Sequence, residues 1–256
     1  MPRNPWTRQE LILALNLYLK LPFGQMHQGN SEIKKLASLI GRTPGAVAMR
    51  LTNFASVDPY HQKRGVKGLT GGKKQVQPIW DEFINNKEEL LFESEKIRAE
   101  MEKETIESKY AKALSGTEHL TGKTKVREIK TRVNQHVFRQ MVMVNYSGRC
   151  AISGIDIQEL LMAGHIIPWS ENIKERLNPA NGICLSALYD KAFDKGFIGL
   201  NRNYEILLSG ELKKNQEKGY YEQFFARFSG KKINLPEKYD PGKAFIEYHL
   251  ESVFMG

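Results

Sequence analysis

Apolar residues recur at helical spacing through the first 55 positions. Leu11, Leu15, Tyr18 and Leu19 share one face of a helix predicted over residues 7–20. Thr7 with Glu10 three residues later has the form of a capping box, and Pro22 and Gly24 stop the run. Ile33, Leu36, Ala37 and Ile40 make a second stripe over 31–40, opened by Ser31 and ended by Gly41. A third helix is expected within 41–54. Thr43 suits its N-cap, Pro44 its first position, and Ala46, Val47 and Leu51 its inward face. That register leaves Arg42, Arg50 and Asn53 to face outward. Helix, short turn and a helix opened by Thr-Pro form a helix-turn-helix-like pattern; a three-helix bundle without a ligand is the competing reading.

The pattern then loosens. Residues 60–77, rich in Gly and Lys, read as a mobile basic loop suited to phosphates. Over 78–114, Trp80, Phe83, Ile84, Leu91, Ile97, Met101 and Tyr110 give an irregular stripe on one long helix or two. Such a segment is either a solvated linker or a dimerisation helix. Ser115, Gly116 and Gly122 mark a break. The expected division is therefore a helical DNA-binding domain (1–77), a charged linker or dimerisation helix (78–114) and a second domain (115–256).

That second domain opens with a basic helix over 123–149, with Val133, Val137, Met141 and Val144 on one face. Leu160 to Ile167 is apolar except at His165 and reads as a strand ended by Pro168 and Trp169. Asn181-Gly182 signals a turn, Ile183 to Leu185 a second strand, and Leu188 to Phe193 a helix. Strand, loop, strand, helix is a ββα unit, so the chain as a whole is expected to be α+β.

Charge changes the picture of the front. The net charge is +9, and residues 1–80 hold twelve Lys/Arg against three acids. Residues 81–118 reverse this, with eleven acids against six bases. A basic front suits a polyanion such as double-stranded DNA, although a basic solvated surface has the same composition. The candidate contacts are Arg42, Arg50, Asn53, Lys63, Arg64, Lys67, Lys73 and Lys74, with Arg132 and Arg139 further on. For the last two, ion pairs with the acidic segment compete. The two cysteines, Cys150 and Cys184, form no CxxC pair, which excludes a four-thiolate zinc site. They read as small buried fillers. No apolar run approaches the ~18 residues of a membrane span. The N-terminus lacks the apolar core of a secretory signal, so a cytoplasmic location is expected.

The ββα stretch carries groups suited to metal-assisted phosphodiester cleavage. A neutral His such as His165 can take a proton from water. Asp190, with Asp194 one helical turn later, supplies hard oxygen ligands suited to one divalent ion, Mg²⁺ before Mn²⁺ or another. A solvated charged face is the competing reading for both acids.

The segments GHIIPW, NPANGICL and YDKAFDKG resemble the HNH (ββα-metal) nuclease family, in its restriction endonuclease branch. RVNQHVFR, YSGRCAISG and the C-terminal LPEKYDPGKAFIEYHLESVF extend the likeness over residues 123–256. The front segments WTRQELILALNLYLKLPFG and GRTPGAVAMRLTNFASVDP look like a module attached to such nucleases. The resemblance implies His165 as general base and Asn181 as the residue that shapes the loop. It aligns Asp190 with a position where the family usually has a metal-binding His. Some members also place a ligand just before the base, where this chain has Gly164. The resemblance thus implies a metal-dependent DNA endonuclease of restriction type; cutting both strands would favour a symmetric homodimer, by the symmetry of a palindromic site. A DNA-binding regulator with a degenerate, inactive HNH domain is the alternative. An RNA-cutting enzyme is disfavoured, because a helix-turn-helix suits the major groove of B-DNA.

Overall fold

The computed structural model describes residues 5–65, 68–117 and 119–256. Lys67, one of the candidate phosphate contacts, lies outside them. The chain is α+β: helices accompany two separate two-stranded antiparallel sheets. It divides into two compact units, Met1–Val137 and Phe138–Gly256.

The first unit is helical. Its helices are α1 (Arg8–Lys20), α2 (Ser31–Leu39), α3 (Pro44–Ala55), α4 (Pro59–Lys63), α5 (Lys73–Phe83), α6 (Lys87–Met101) and α7 (Ile106–Lys109). The first part of α8 (Gly122–Asn145) also belongs to it. Helix α1 starts in the predicted capping box: Thr7 Oγ1 accepts from the Glu10 amide at 3.2 Å, and Glu10 accepts from the Thr7 amide at 2.7 Å. Every residue from Leu11 to Leu19 is buried, because α2, α3, α5 and α6 all pack against α1. A helix apolar on nearly all sides is one that is covered on nearly all sides. Asn30 rather than Ser31 caps α2, accepting from the Glu32 and Ile33 amides. Thr43 caps α3 with Pro44 in the first turn, and α2 and α3 pack on each other.

Three expectations for this unit are corrected. Residues 60–77 are not one mobile loop. Lys63 ends α4, Lys73 opens α5, and Gly68 and Gly72 lie close against α3. A Cβ at Gly68 would sit 2.5 Å from the Thr52 carbonyl oxygen, and one at Gly72 would sit 2.1 Å from Asn53 Oδ1. Residues 78–114 are not a solvated linker either. Trp80, Phe83, Leu90, Leu91, Ile97 and Tyr110 are buried, and α6 packs along α1. Lastly, the unit extends past Ser115 into α8. Lys130 pairs with Glu89 at 2.6 Å, and Asn134 Nδ2 donates to the Glu88 carbonyl at 3.1 Å. These contacts tie the first half of α8 to α6.

The second unit is built on β1 (Leu161–His165), β2 (Gly182–Ser186), α9 (Ala187–Asp194), β3 (Ile198–Leu200) and β4 (Ile206–Leu208). Helices α10 (Gly210–Lys213), α11 (Gly219–Phe224) and α12 (Lys243–Ser252) complete it. Strand β1 pairs antiparallel with β2, His165 opposite Gly182 and Gly164 opposite Ile183. All of β2 is buried. Helix α9 packs on both strands, and the last part of α8 adds buried Phe138, Met141 and Val142. Cys150 and Cys184 are buried free thiols, as expected; Cys150 Sγ accepts from the Ser186 amide at 3.2 Å.

Candidate active site

Strand β1 delivers His165 as its last residue, where the chain turns into the loop before β2. The imidazole lies flat on Phe138 of α8, centroids 4.1 Å apart and 14° between planes. Trp169 meets its edge at 5.3 Å. Stacking on one face and an edge contact on another leave the ring little freedom to rotate. Its Nε2 lies 2.8 Å from the Arg176 carbonyl oxygen. A carbonyl oxygen only accepts, so Nε2 carries the proton and donates it. The free lone pair is then on Nδ1. Burial lowers the pKa of the imidazole, partly opposed by this bond to Arg176. The ring is thus held neutral at physiological pH, as one fixed tautomer.

Asn181 supports this placement from the far end of the loop. It is fully buried at the end of a short 3₁₀ turn, Pro179–Asn181. Its Oδ1 accepts from the Ile167 amide at 2.8 Å, and its Nδ2 donates to the Ile167 carbonyl at 3.2 Å. Its own carbonyl accepts from the Ile166 amide at 3.0 Å. Side chain and backbone of Asn181 together therefore clamp the two residues that follow His165.

Asp190, in the first turn of α9, reaches back to β1. A Cβ built on Gly164 would lie 2.6 Å from Asp190 Oδ1. The absence of a side chain at 164 is what admits this carboxylate against β1, at the residue that precedes His165. Burial raises the pKa of Asp190, and the nearby Asp194 raises it further. Among the described residues, no hydrogen-bond donor is bonded to it. Asp194 is mostly exposed and lies 3.8 Å from Lys191 Nζ. No group of three or more His, Cys, Asp and Glu able to hold a metal occurs among the described residues. One half-buried carboxylate without a donor, and a second one turn away, fit a largely hydrated hard cation and not a zinc cage.

The basic candidates separate into two groups. Lys63, Arg64, Lys73 and Lys74 are exposed. The expectation that Arg42, Arg50 and Asn53 face outward is corrected. Arg42 pairs with Glu10 at 2.8 Å, Asn53 donates to the Leu69 carbonyl at 2.6 Å, and Arg50 is 9% exposed. Arg132 and Arg139 are likewise engaged internally. Arg132 bonds Glu128 and the Ala113 and Ser115 carbonyls, and Arg139 bonds the Leu161 and Gln158 carbonyls. Arginine's fork of donors suits such carbonyl pairs as well as it suits phosphate.

Sequence reasoning misses the roles of Phe138, Trp169 and Arg176. Phe138 stands in a helix far along the chain from His165, on a face that reads as core. Arg176 contributes only a carbonyl, which any residue type offers. Trp169 closes the GHIIPW segment, where it reads only as a strand end. No described helix is long and apolar enough to cross a membrane. No curated protein matches the chain. Residues 150–201, which take in β1, β2, α9 and β3 with His165, Asn181, Asp190 and Asp194, match the model of an HNH endonuclease family, and this supports the HNH family for that segment of the second unit.

Proposed function

We propose that the chain is a metal-dependent DNA endonuclease in which His165 is the general base. The observation that carries this reading is the hydrogen bond from His165 Nε2 to the Arg176 carbonyl. It leaves Nδ1 of a neutral, immobilised imidazole free to take a proton. In the reaction, Nδ1 accepts a proton from water as the water oxygen attacks phosphorus, and the phosphodiester's leaving oxygen departs. Asn181 positions the base by fixing the loop behind it. Asp190 would hold one divalent cation, Mg²⁺ or Mn²⁺, with Asp194 adding charge. Bound there, the ion supplies stabilisation for negative charge building on phosphate and leaving oxygen. Asp190 stands against Gly164, so it fills the space that a ligand preceding the base would need.

DNA is favoured as substrate by the basic front and by the α2–α3 pair, which is compatible with a helix-turn-helix. The exposed Lys63, Arg64, Lys73 and Lys74 supply sequence-independent affinity. A restriction role rests on the resemblance of the nuclease segments, and a symmetric dimer on the need to cut two strands. The lack of a three-ligand cluster among the described residues favours one other reading, a DNA-binding regulator with an inactive HNH domain. Nicking of supercoiled plasmid with Mg²⁺ or Mn²⁺ separates the two. His165→Ala should slow nicking by ~10²–10⁴-fold, the usual contribution of a positioned base. Wild-type protein that leaves DNA intact with both metals would sink the nuclease reading, and faster cleavage of matched RNA would sink the choice of DNA.

A further inference from the structure

The first unit contains an open groove of about 770 Å³, remote in sequence from the nuclease segment. Trp6 and Arg42, Arg50 and Asn53 of α3, and Gly72 and Lys74 at the start of α5 are among the residues that line it. Arg50 is the anomaly. It is a charged side chain 9% exposed, and its Nε and Nη1 are sealed from solvent with no hydrogen-bond partner among the described residues. The one nearby carboxylate, Glu10, is already taken by Arg42 through a bidentate bond. Both guanidinium groups sit over the Trp6 ring, at 4.5 Å for Arg42 and 4.8 Å for Arg50. Arg50 therefore has the Trp6 ring beside it but no carboxylate of its own, which leaves a buried positive charge without an ion-pair partner among the described residues. Buried charges are ordinarily paired.

Two further features of the groove have the same sign. Lys74 lines it and is exposed. The start of α5 also lines it; no side chain caps this helix, and of its first amides the Lys73 N–H is bonded to the Thr70 carbonyl of the preceding 3₁₀ turn. Gly72, which has no room for a side chain beside Asn53, lets the backbone close the groove at that end. Buried guanidinium, lysine and uncapped helix start converge on a place for an anion. Arg matches phosphate oxygens in charge and geometry.

We propose that this groove is a phosphate site, and that it seats one backbone phosphate of a nucleic-acid strand on Arg50. The choice of a strand over a free phosphate rests on DNA being the substrate; the anion site does not.

The full chain in EDTA tests this with Arg50→Met, which keeps the apolar stem and removes the charge, and with Arg50→Lys. Thermal unfolding is followed with inorganic phosphate and with a nucleoside 5′-monophosphate, and anisotropy with a short labelled duplex. Wild type should be stabilised by the phosphate compounds and should bind the duplex. Arg50→Met should lose the stabilisation, bind the duplex about tenfold more weakly, and show a salt slope smaller by about one. Arg50→Lys should keep part of each. Without ligand, Arg50→Met should unfold no earlier than wild type, since it removes an unpaired buried charge. Earlier unfolding of Arg50→Met with no phosphate response in wild type would make Arg50 structural and overturn the proposal. So would a phosphate response that Arg50→Met retains in full. A response to free phosphate with unchanged duplex binding would overturn the strand as occupant. Adding His165→Ala to each chain lowers the unfolding temperature by the packing it removes, but the shift with phosphate and the Arg50 dependence of duplex binding should remain, so failure of the nuclease reading cannot be mistaken for failure of this one.

Discussion

Gly164 and Asp190 are a matched pair at the base of the candidate site. The carboxylate occupies space that any side chain at 164 would enter, with 2.6 Å between a Cβ and Asp190 Oδ1. That contact is shorter than real Cβ atoms tolerate, so Gly164→Ala must push the carboxylate or the strand aside. Gly164 lies opposite Ile183 of β2, but Asp190 is half-buried and has no hydrogen-bond donor to lose, so the carboxylate gives way first and stability should change little. Activity should fall by roughly 10–100-fold, the usual effect of displacing a group that holds or orients a metal. Plasmid nicking across a Mg²⁺ titration checks this: the loss should be partly recovered at high Mg²⁺, and undiminished nicking would remove Asp190 from the site. As candidates, His165, Asn181, Asp190 and Asp194 can all be picked out in the sequence, because motif spacing ties them together. The stacking on Phe138 and the acceptor at Arg176 are not. Neither a ring-on-ring contact across distant segments nor a backbone carbonyl leaves a mark on residue type.

Helix α6 shows the same limit for a whole element. Its charged composition reads as solvent-facing, yet Glu95 on it is 2% exposed. Glu95 accepts from Tyr110 at 2.7 Å, and from Lys20 and Asn16 at 3.3 Å each. Burial by itself would raise its pKa; Lys20, then Arg98 and Tyr110, bring it down to about 2. Burial also lowers Lys20. The direction that stands is an ionised Glu95, since three groups stabilise that carboxylate and Lys20 has one partner among them. A carboxylate whose pKa is depressed on folding stabilises the protein above its unfolded value of 4.5, and that stability is lost as pH falls toward 2. The interval corresponds to about 3 kcal/mol. Glu95→Gln should cost ~3–5 kcal/mol near neutral pH, because Lys20 is left buried and unpaired. It should also flatten the acid limb of stability between about pH 5 and 2. Urea unfolding across that range checks both, and an unchanged acid limb would remove Glu95 from the core of the unit. Helices α1 to α3 are legible because caps and apolar periodicity agree there. The 78–114 segment is not, because a buried ion pair and a surface one have the same composition.

Charge separates the two units at the scale of the molecule. Met1–Val137 holds 23 Lys/Arg against 15 Asp/Glu, while Phe138–Gly256 holds 15 against 14. Nearly all of the net +9 is therefore in the unit without the candidate active site. A nearly neutral second unit, with the candidate active site, would gain little from counterion release on meeting DNA, whereas a helical unit with a large positive excess would gain much. Binding of the full chain should thus depend on the first unit and weaken steeply with salt. Charge reversal gives the comparison. Lys63→Glu with Lys73→Glu changes two exposed bases of the first unit, and Lys213→Glu with Lys231→Glu changes two of the second. Net charge changes equally in both double variants, so overall attraction by the chain is held constant. The first pair should lower the slope of log affinity against log salt by about two, at ~0.9 for each phosphate no longer neutralised. The second pair should leave that slope where it was. Anisotropy of a labelled duplex in EDTA at several salt concentrations measures it. Equal losses in the two variants would mean that the nuclease unit holds DNA by itself, and the division of labour between a gripping unit and a cutting unit would have to be abandoned.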